Sequence, residues 1–240
     1  CRLSYGLCRD GTGIERMEDN MVGNITMLVQ KYSGLFLEGM GYTLLLALIT
    51  VTFGTVLGTL VALAKMGKFK VLSFLATAYI EIMRGTPLLL QLYLFYFLVP
   101  QMLPWEPSKF TCVCTALVLN ATAYVSEIIR AGIQAVDPGQ MEAARSLGLN
   151  TSQAMKKVIL PQALKNILPA LGNEFVTDIK ETSLASTFFL GDLMTTFRTL
   201  NGALYLTLEP LIIVGIIYFL LTFTLSKLIA VFERRMASND

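Results

Sequence analysis

The chain has 240 residues, of which 54% are hydrophobic and only 15% are charged, and its formal net charge is +2. Because a soluble domain carries about a quarter charged residues, this composition indicates a membrane protein. The small net charge gives no reason to expect a nucleic-acid partner. The sequence contains no histidine, the most common metal ligand and general base. Cys112 and Cys114 stand two apart in an apolar run and are interpreted as packing residues, so no metal site is predicted.

The first 32 residues are interpreted as an N-terminal extension of a single transmembrane domain over residues 33–240. Residues 1–20 have mixed charge and no apolar run, which excludes a signal peptide and a spanning helix. One explanation is that Met17 or Met21 is the natural start and the upstream residues are a translated leader or an expression remnant. The alternative is a disordered tail.

Membrane-spanning segments are expected where about 20 mainly apolar residues follow one another. Residues 41–64 meet this condition without a charge, residues 110–133 are a more polar span, and residues 211–232 are the last clear one. Residues 71–99 contain the sequence MRGTP and are therefore expected to form a broken helix. Residues 163–190 are a weaker fifth candidate.

The distribution of basic residues decides the topology. They cluster after the first span, around residues 145–165 and at the chain end, namely at Lys65, Lys68, Lys70, Arg145, Lys156, Lys157, Lys165, Arg234 and Arg235. The positive-inside rule places all three clusters in the cytoplasm. An even number of crossings must join two cytoplasmic points, so residues 163–190 are required as a span. The prediction is five transmembrane helices with the N-terminus outside, the C-terminus in the cytoplasm, and residues 21–40 as an interfacial helix at the outer face.

Polar side chains inside the spans indicate a solute pathway, because a charge at the centre of a spanning helix costs about 2.5–3.5 kcal/mol. Counted at about 1.5 Å per residue along straight spans, Glu81 and Asn120 lie near the midplane and Asp178 lies slightly beyond it. Broken helices at this depth are typical of solute sites in transporters. The predicted pathway comprises Glu81, Arg84, Thr86, Gln91, Asn120, Tyr124, Asp178, Lys180 and Glu181.

An alternative is that the charged residues only hold helices together. The pairs would then be Glu81 with Arg84, Glu127 with Arg130, and Asp178 with Lys180 or Glu181. Acidic residues outnumber basic ones in the predicted pathway, which favours a cationic solute if they are not paired in this way.

The segment EAARSLGLNTSQAMKKVILP, residues 142–161, is polar and helix-forming within an otherwise apolar chain. Asp137 as a cap, Pro138 at the first helical position and Gly148 at the end predict a helix over residues 138–147. A second helix is expected to begin at residues 150–152 and to stop at Pro161. The exposed face of the first helix would carry Ala143, Ala144 and Leu147 and suit a protein partner; a solvated loop helix is the alternative.

This segment resembles the EAA motif of permease subunits of ATP-binding cassette (ABC) importers. It has Glu142, Ala143 and Ala144, a glycine at Gly148, and Leu160-Pro161 at its end, with Val158 as a conservative departure. The stretches from Tyr79, Ala123 and Asn173 are similar to permeases for polar amino acids. The resemblance implies an all-α type I importer permease with five transmembrane helices and a cytoplasmic coupling loop over about residues 137–162.

The resemblance also implies partners. The coupling residues would be Glu142, Ala143, Ala144, Leu147, Gly148 and Pro161, docking on a cytoplasmic ATPase. The chain has no phosphate-binding G-x-x-x-x-G-K-[ST] loop, so we expect no enzyme activity and no cofactor here, with ATP and Mg on the partner. We expect two ATPase subunits, a second permease with an identical copy favoured over a different one, an extracytoplasmic solute-binding protein, and a bacterial inner-membrane location.

Other functional classes explain the sequence less well. A secondary transporter driven by an ion gradient would suit the intramembrane carboxylates but leaves the EAA segment unexplained. An importer permease for a non-amino-acid solute is disfavoured by the RGTP break. A scaffold that only anchors an ATPase would need no charges in the membrane.

Overall fold

The structure is a computed structural model that describes residues 11–237, with side chains for residues 20–235. The described residues form helices and connecting turns, without a strand. The helices are α1 (Gly11–Met66), α2 (Lys70–Gly85), α3 (Leu88–Phe97), α4 (Val99–Met102), α5 (Lys109–Gln134), α6 (Pro138–Ser146), α7 (Thr151–Ala154), α8 (Leu160–Glu181), α9 (Leu193–Leu204) and α10 (Leu208–Ala237). A π-helical turn (Met155–Ile159) precedes α8, and a 3-10 segment (Thr182–Phe188) follows it.

The predicted all-α membrane fold is confirmed. Within residues 11–237, three single helices are long and apolar enough to cross a membrane, over Asn20–Met66, Lys109–Gln134 and Leu208–Arg235. The pair of α2 with α3 and α4 would be a fourth span, broken by a bend of 106°. Helix α8 has 22 residues and is long enough at about 1.5 Å per residue, but it is more polar. The count of five spans therefore stays a prediction.

Helix α1 runs without interruption through residue 32, so residues 21–40 continue the first span rather than forming a separate helix. Leu28 is fully buried with residues of α9 and α10, and Asn24 Nδ2 donates to Glu209 Oε1 at 2.8 Å. Apolar burial thus fixes this part of α1 against the bundle. The interpretation of residues 1–20 as a leader or disordered tail lies outside the described residues for residues 1–10, whereas residues 11–20 belong to α1.

Helix α5 is the centre of the fold, because α1, α3 and α8 all pack against it. Small residues allow α1 to approach closely: a Cβ on Gly58 would lie 2.8 Å from Val125 Cβ, and one on Gly54 would lie 2.9 Å from Ala121 Cβ. Such contacts are typical of helix packing in membranes, where van der Waals fit supplies much of the association energy. The packing leaves α5 buried on most sides.

Helix α2 packs against α1 and α5. At its start, Ser73 Oγ donates to the Lys65 carbonyl at 2.7 Å, and at its end Arg84 Nη1 lies 3.7 Å from Glu127 Oε2. Lys65 Nζ also binds Glu127, at 2.7 Å. The expected break is present as the bend of 106° after α2, and the depth of Glu81 in the membrane stays a prediction.

The second cytoplasmic helix does not stop at Pro161, contrary to the sequence-based expectation. Helix α7 passes through the π-helical turn directly into α8, where Pro161 occupies the first turn. The Leu160 amide donates to the Met155 carbonyl, five residues back. The i→i+5 bonds of the π turn shift the hydrogen-bond register just before Pro161, so the helix continues past a residue that has no amide to donate. The polypeptide is therefore helical from Thr151 to Glu181.

Candidate functional site

The break between α2 and α3 is held by the side chain of Gln91. Pro87 begins α3 and cannot donate a hydrogen bond, which leaves carbonyls at the end of α2 without helical partners. Gln91 Nε2 lies 2.8 Å from the Met83 carbonyl, 3.2 Å from the Thr86 carbonyl and 2.9 Å from Thr86 Oγ1. Asn120 Nδ2 of α5 donates to Gln91 Oε1 at 2.9 Å. Three predicted pathway residues, Thr86, Gln91 and Asn120, thus form one series of hydrogen bonds, which runs from the exposed Thr86 to the buried Gln91 and Asn120.

A cluster of charges surrounds Glu127 of α5, which lies seven residues after Asn120. Lys65 Nζ binds Glu127 at 2.7 Å, and Arg130 Nη2 binds it at 2.8 Å. Arg84 lies farther away, at 3.7 Å, with its guanidinium 5.4 Å from the ring centroid of Tyr124, a cation–π distance. One carboxylate therefore faces three cations contributed by α1, α2 and α5.

Three carboxylates line one face of α8: Glu174, Asp178 and Glu181. Their spacing of four and three residues places them on the same side of a helix, and we call this the carboxylate face. Asp178 is only 3% exposed, yet its Oδ2 has no hydrogen-bond partner among the described residues. A buried, unsatisfied carboxylate oxygen is costly, so this position is suited to a ligand that brings a cation or a donor.

Lys180 does not belong to the carboxylate face, although the sequence placed it in the same pathway. It is two residues from Asp178, which points the two side chains to nearly opposite sides of α8. Lys180 instead lines a mainly apolar cavity of about 350 Å³ with residues of the 3-10 segment, α9 and α10. No ion pair joins Lys180 to Asp178 within the described chain.

The alternative of internally paired charges is met only at Glu127 and Arg130. Glu81 is exposed, lines an open hollow beside the helix break with Thr86, and makes no ion pair with Arg84 within residues 20–235. The pathway residues therefore fall into separate groups: the chain at the break, the Arg84–Tyr124 contact, the carboxylate face, and the outlying Glu81 and Lys180.

The cytoplasmic loop contains the expected helix α6. Asp137 Oδ1 accepts from the Gly139 amide at 2.7 Å, Pro138 is at the first position, and Gly148 has φ +89°. The Gly148 amide donates to the Arg145 carbonyl at 3.0 Å and the Leu149 amide to the Ala144 carbonyl at 3.2 Å, the two bonds of a Schellman motif. The helix boundary lies one residue before the predicted one.

The surface of α6 differs from the prediction at one residue. Leu147 is 85% exposed but Ala144 is only 4% exposed, so Ala144 faces its own chain and supports the helix. Glu142, Ala143, Gly148 and Pro161 are exposed. After the turn, Asn150 and Gln153 form a capping box that starts the next helix.

Sequence reasoning missed two contributors to the site. Glu174 could have been found from its spacing, four residues before Asp178 and seven before Glu181. Lys65 was assigned only to a cytoplasmic cluster, and nothing in its local sequence reveals that it reaches Glu127 on another helix. The role of Glu174 could be predicted from its periodic spacing, whereas the contact of Lys65 depends on tertiary packing.

Comparisons with known proteins agree with this architecture. Residues 54–238 match the family described as binding-protein-dependent transport system inner membrane component. The arginine transport system permease protein ArtQ of Bacillus subtilis is 44% identical over 204 residues, covering 85% of this chain and 93% of the relative. A putative glutamine transport system permease protein of Rickettsia bellii is 41% identical over 199 residues, covering 83% and 91%.

Solved structures give the same fold. A crystal structure of an amino acid ABC transporter with histidines is similar at 48% identity with a TM-score of 0.84, covering 87% of this chain and 97% of the other. An inward-facing structure of the MetNI methionine ABC transporter has a TM-score of 0.70 at 18% identity, covering 84% and 96%. The second likeness extends to the fold alone.

Proposed function

The chain belongs to the binding-protein-dependent transport system inner membrane components, and on that premise we propose that it carries a cationic amino acid along α5 and α8. It is the permease subunit of an amino acid ABC importer. It is a multi-pass inner-membrane protein and not an enzyme, since the ATPase is a separate subunit. Membership of this family disfavours the ion-gradient transporter, and the similarity to arginine and glutamine permeases disfavours an importer permease for another class of solute.

The proposed assembly contains two copies of this permease and two ATPase subunits that bind ATP and Mg. An extracytoplasmic binding protein delivers the amino acid. The N-terminus lies outside and the C-terminus in the cytoplasm, following the basic residues at the end of α10. The domain division at residue 32 and the coupling loop over residues 137–162 remain parts of this proposal, with α7 continuous with α8.

The coupling role is proposed for the residues of α6 and its following turn. Leu147, which is 85% exposed, is the apolar anchor that we expect to enter a groove on the ATPase. Glu142 and Ala143 flank it on the exposed surface, and Gly148 shapes the turn. Ala144 supports the helix from inside, and Pro161 begins the transmembrane part of the continuous helix.

The observation that carries the choice of solute is Asp178. Its side chain is 3% exposed and one oxygen lacks a partner in the described chain, while Glu174 and Glu181 share its helix face. A cationic side chain or ammonium group would supply the missing donor and the opposite charge. Of the remaining predicted pathway residues, Thr86, Gln91 and Asn120 form the wall of the pathway. Arg84 and Tyr124 border the pathway, and Glu81 and Lys180 lie at its margins.

The test is Asp178→Asn, which keeps the shape of the side chain and removes its charge. We expect kcat/KM for L-arginine uptake to fall by about tenfold or more, the effect of losing one charge-assisted hydrogen bond, and L-glutamine uptake to change much less. Thr177→Ala is the matched control, because Thr177 is half-buried and its hydroxyl bonds only to its own helix. Unchanged L-arginine uptake by Asp178→Asn at normal expression would contradict the cationic assignment.

A further inference from the structure

The cavity of about 350 Å³ that Lys180 lines lies where the 3-10 segment and α9 meet the first half of α10. Its wall is mainly apolar and includes Met194, Leu211 and Val214. Leu211 and Gly215 are exposed, whereas Val214 is buried, so the cavity is a groove that opens on the exposed face of α10. Its volume falls within the range of small-molecule sites, about 300–1,000 Å³.

Lys180 brings a positive charge to this groove. Of the described residues that line the groove, Lys180 alone is charged, and its side chain makes no hydrogen bond or ion pair within residues 20–235. Ser183 and Tyr218 add hydroxyl groups, and the Tyr218 hydroxyl is buried without a hydrogen-bond partner in the described part of the chain. The groove therefore combines a cation and hydroxyl donors with an apolar wall, which suits an anionic group that carries an apolar chain.

The position of Lys180 along α8 matches the depth of a lipid headgroup. Lys180 lies 20 residues after Leu160, where α8 begins. This separation is about 30 Å at 1.5 Å per residue, which equals the thickness of the hydrocarbon core. In the proposed topology Leu160 lies at the cytoplasmic side, so Lys180 lies near the outer surface. Leu211, in the first turn of α10, begins the apolar wall of the groove at the same side.

The composition of the groove disfavours two other occupants. A free amino acid carries an ammonium group, and no acidic residue is among the described residues that line the groove. A second copy of this chain, packed here by a two-fold contact, would bring its own Lys180 to the same apolar interface, where like charges repel. A bilayer lipid meets neither obstacle. It would also cover the exposed apolar side chains of Ile212, Ile216 and Phe219 on α10.

We propose that this groove binds an anionic phospholipid of the outer leaflet. The phosphate of the lipid pairs with Lys180, and one acyl chain lies along Leu211, Val214 and Gly215. The assignment to the outer leaflet rests on the topology given with the proposed function. The lipid fills the space between helix α10 and the 3-10 segment that follows α8, so its binding stabilises the packing of these two elements.

The test measures, by native mass spectrometry, how the purified full-length permease binds phosphatidylglycerol and the net-neutral phosphatidylcholine with identical acyl chains. We expect the wild type to prefer phosphatidylglycerol about fivefold, the effect of one cation near a headgroup, and Lys180→Gln to bind both lipids alike. Lys109→Gln is the matched control and should keep the preference, because Lys109 is exposed at the start of α5 and lies outside the groove. Equal binding of both lipids by the wild type would overturn the proposal, as would an unchanged preference in Lys180→Gln.

A second variant tests the apolar part of the groove. A Cβ on Gly215 would meet no atom within 4 Å, so Gly215→Leu occupies the groove without displacing a neighbour. We expect it to weaken phosphatidylglycerol binding about tenfold, the effect of uncovering about two methylene groups. Gly41→Leu on α1 is the control, since a Cβ there also meets no atom and lies outside the groove. Unchanged lipid binding by Gly215→Leu would contradict the proposal. Loss of a permease dimer in Gly215→Leu but not in Gly41→Leu would also contradict it, by assigning the groove to a second copy.

The leaflet is tested separately from the lipid. In spheroplasts, Lys180→Cys should react with a membrane-impermeant maleimide added outside, above the level of the wild-type chain. Reaction only after the cytoplasmic face is opened would overturn the outer-leaflet assignment, and the proposed topology with it. Lipid binding to the purified protein does not depend on orientation, so a failure of the topology is distinguishable from a failure of the lipid site.

Discussion

Two helix breaks in this molecule begin with a proline, and their backbone groups are satisfied in different ways. At the cytoplasmic loop, Pro138 follows Asp137, whose side chain caps the new helix at a distance of two residues. At the α2–α3 break, Pro87 is followed by Gln91, which binds carbonyls five and eight residues back and is itself bound by Asn120 of α5. At the first break the capping hydrogen bond comes from a neighbouring residue, whereas at the second break the hydrogen bonds depend on another helix.

The difference follows from the surroundings of each break. Backbone groups exposed to water can be hydrated, so a short cap is enough at the loop. The predicted location of the α2–α3 break is the membrane interior, where every freed carbonyl needs a protein partner. The α2–α3 break therefore recruits a long amide side chain, and its geometry becomes tied to the position of α5. Because Asn120 of α5 binds Gln91, we expect a movement of α5 to change the geometry of the break.

The largest effect should come from removing the amide at the α2–α3 break. Gln91→Leu leaves two carbonyls and the Asn120 amide without their partner, and we expect it to lower the free energy of unfolding by about 3 kcal/mol. The midpoint of thermal unfolding in detergent measures this. Gln101→Leu is the control, since Gln101 is exposed and its side chain donates only to the Phe97 carbonyl four residues back. Equal stability of both variants would show that Gln91 does not hold the break.

A smaller effect is expected at Gly148, where the loop helix ends. Its φ of +89° is unfavourable for a residue with a side chain, although a Cβ there would meet no atom within 4 Å. Gly148→Asp should thus cost about 1 kcal/mol of turn stability and reduce the coupling of ATP hydrolysis to uptake. Gly148→Asn, which tolerates this conformation better, should retain more activity. Wild-type uptake by Gly148→Asp at normal expression would contradict the role of this turn.

The smallest effect is expected at the cap of α6. Asp137→Ala removes one exposed capping bond and should cost about 1 kcal/mol, confined to the loop. Hydrogen exchange of the amides in α6 should accelerate while the thermal midpoint of the whole protein stays nearly constant. Lys109→Ala, at the start of α5 and away from the loop, should leave the exchange of α6 unchanged. A fall of the thermal midpoint like that of Gln91→Leu would show that the stability of the whole protein depends on the cap of α6.

The predictions that succeeded rest on short-range chemistry. Asp137, Pro138 and Gly148 define α6 because each acts within a few residues of its own position. The broken helix at the MRGTP sequence was equally visible, since proline and glycine interrupt helices wherever they occur. Long apolar runs identified α1, α5 and α10 by length alone.

The errors concern relations between helices. A sequence does not show that the start of α1 packs against α9 and α10, so residues 21–40 were expected to form a separate interfacial helix. The burial of Ala144 and the pairing of Lys65 with Glu127 depend on which helix lies opposite, and no periodic pattern contains that information. Pro161 was expected to stop a helix, but the preceding π turn made its ring compatible with a continuous one.

That continuous helix has a mechanical consequence. From Thr151, next to the coupling loop, to Asp178 on the carboxylate face, the chain passes through no loop and covers about 40 Å at 1.5 Å per residue. A tilt of about 10° at the cytoplasmic end would displace the other end by roughly 7 Å over this length. We therefore expect a displacement of the loop to be transmitted to the carboxylate face. Only bending of the helix at the π turn and at Pro169 would reduce it.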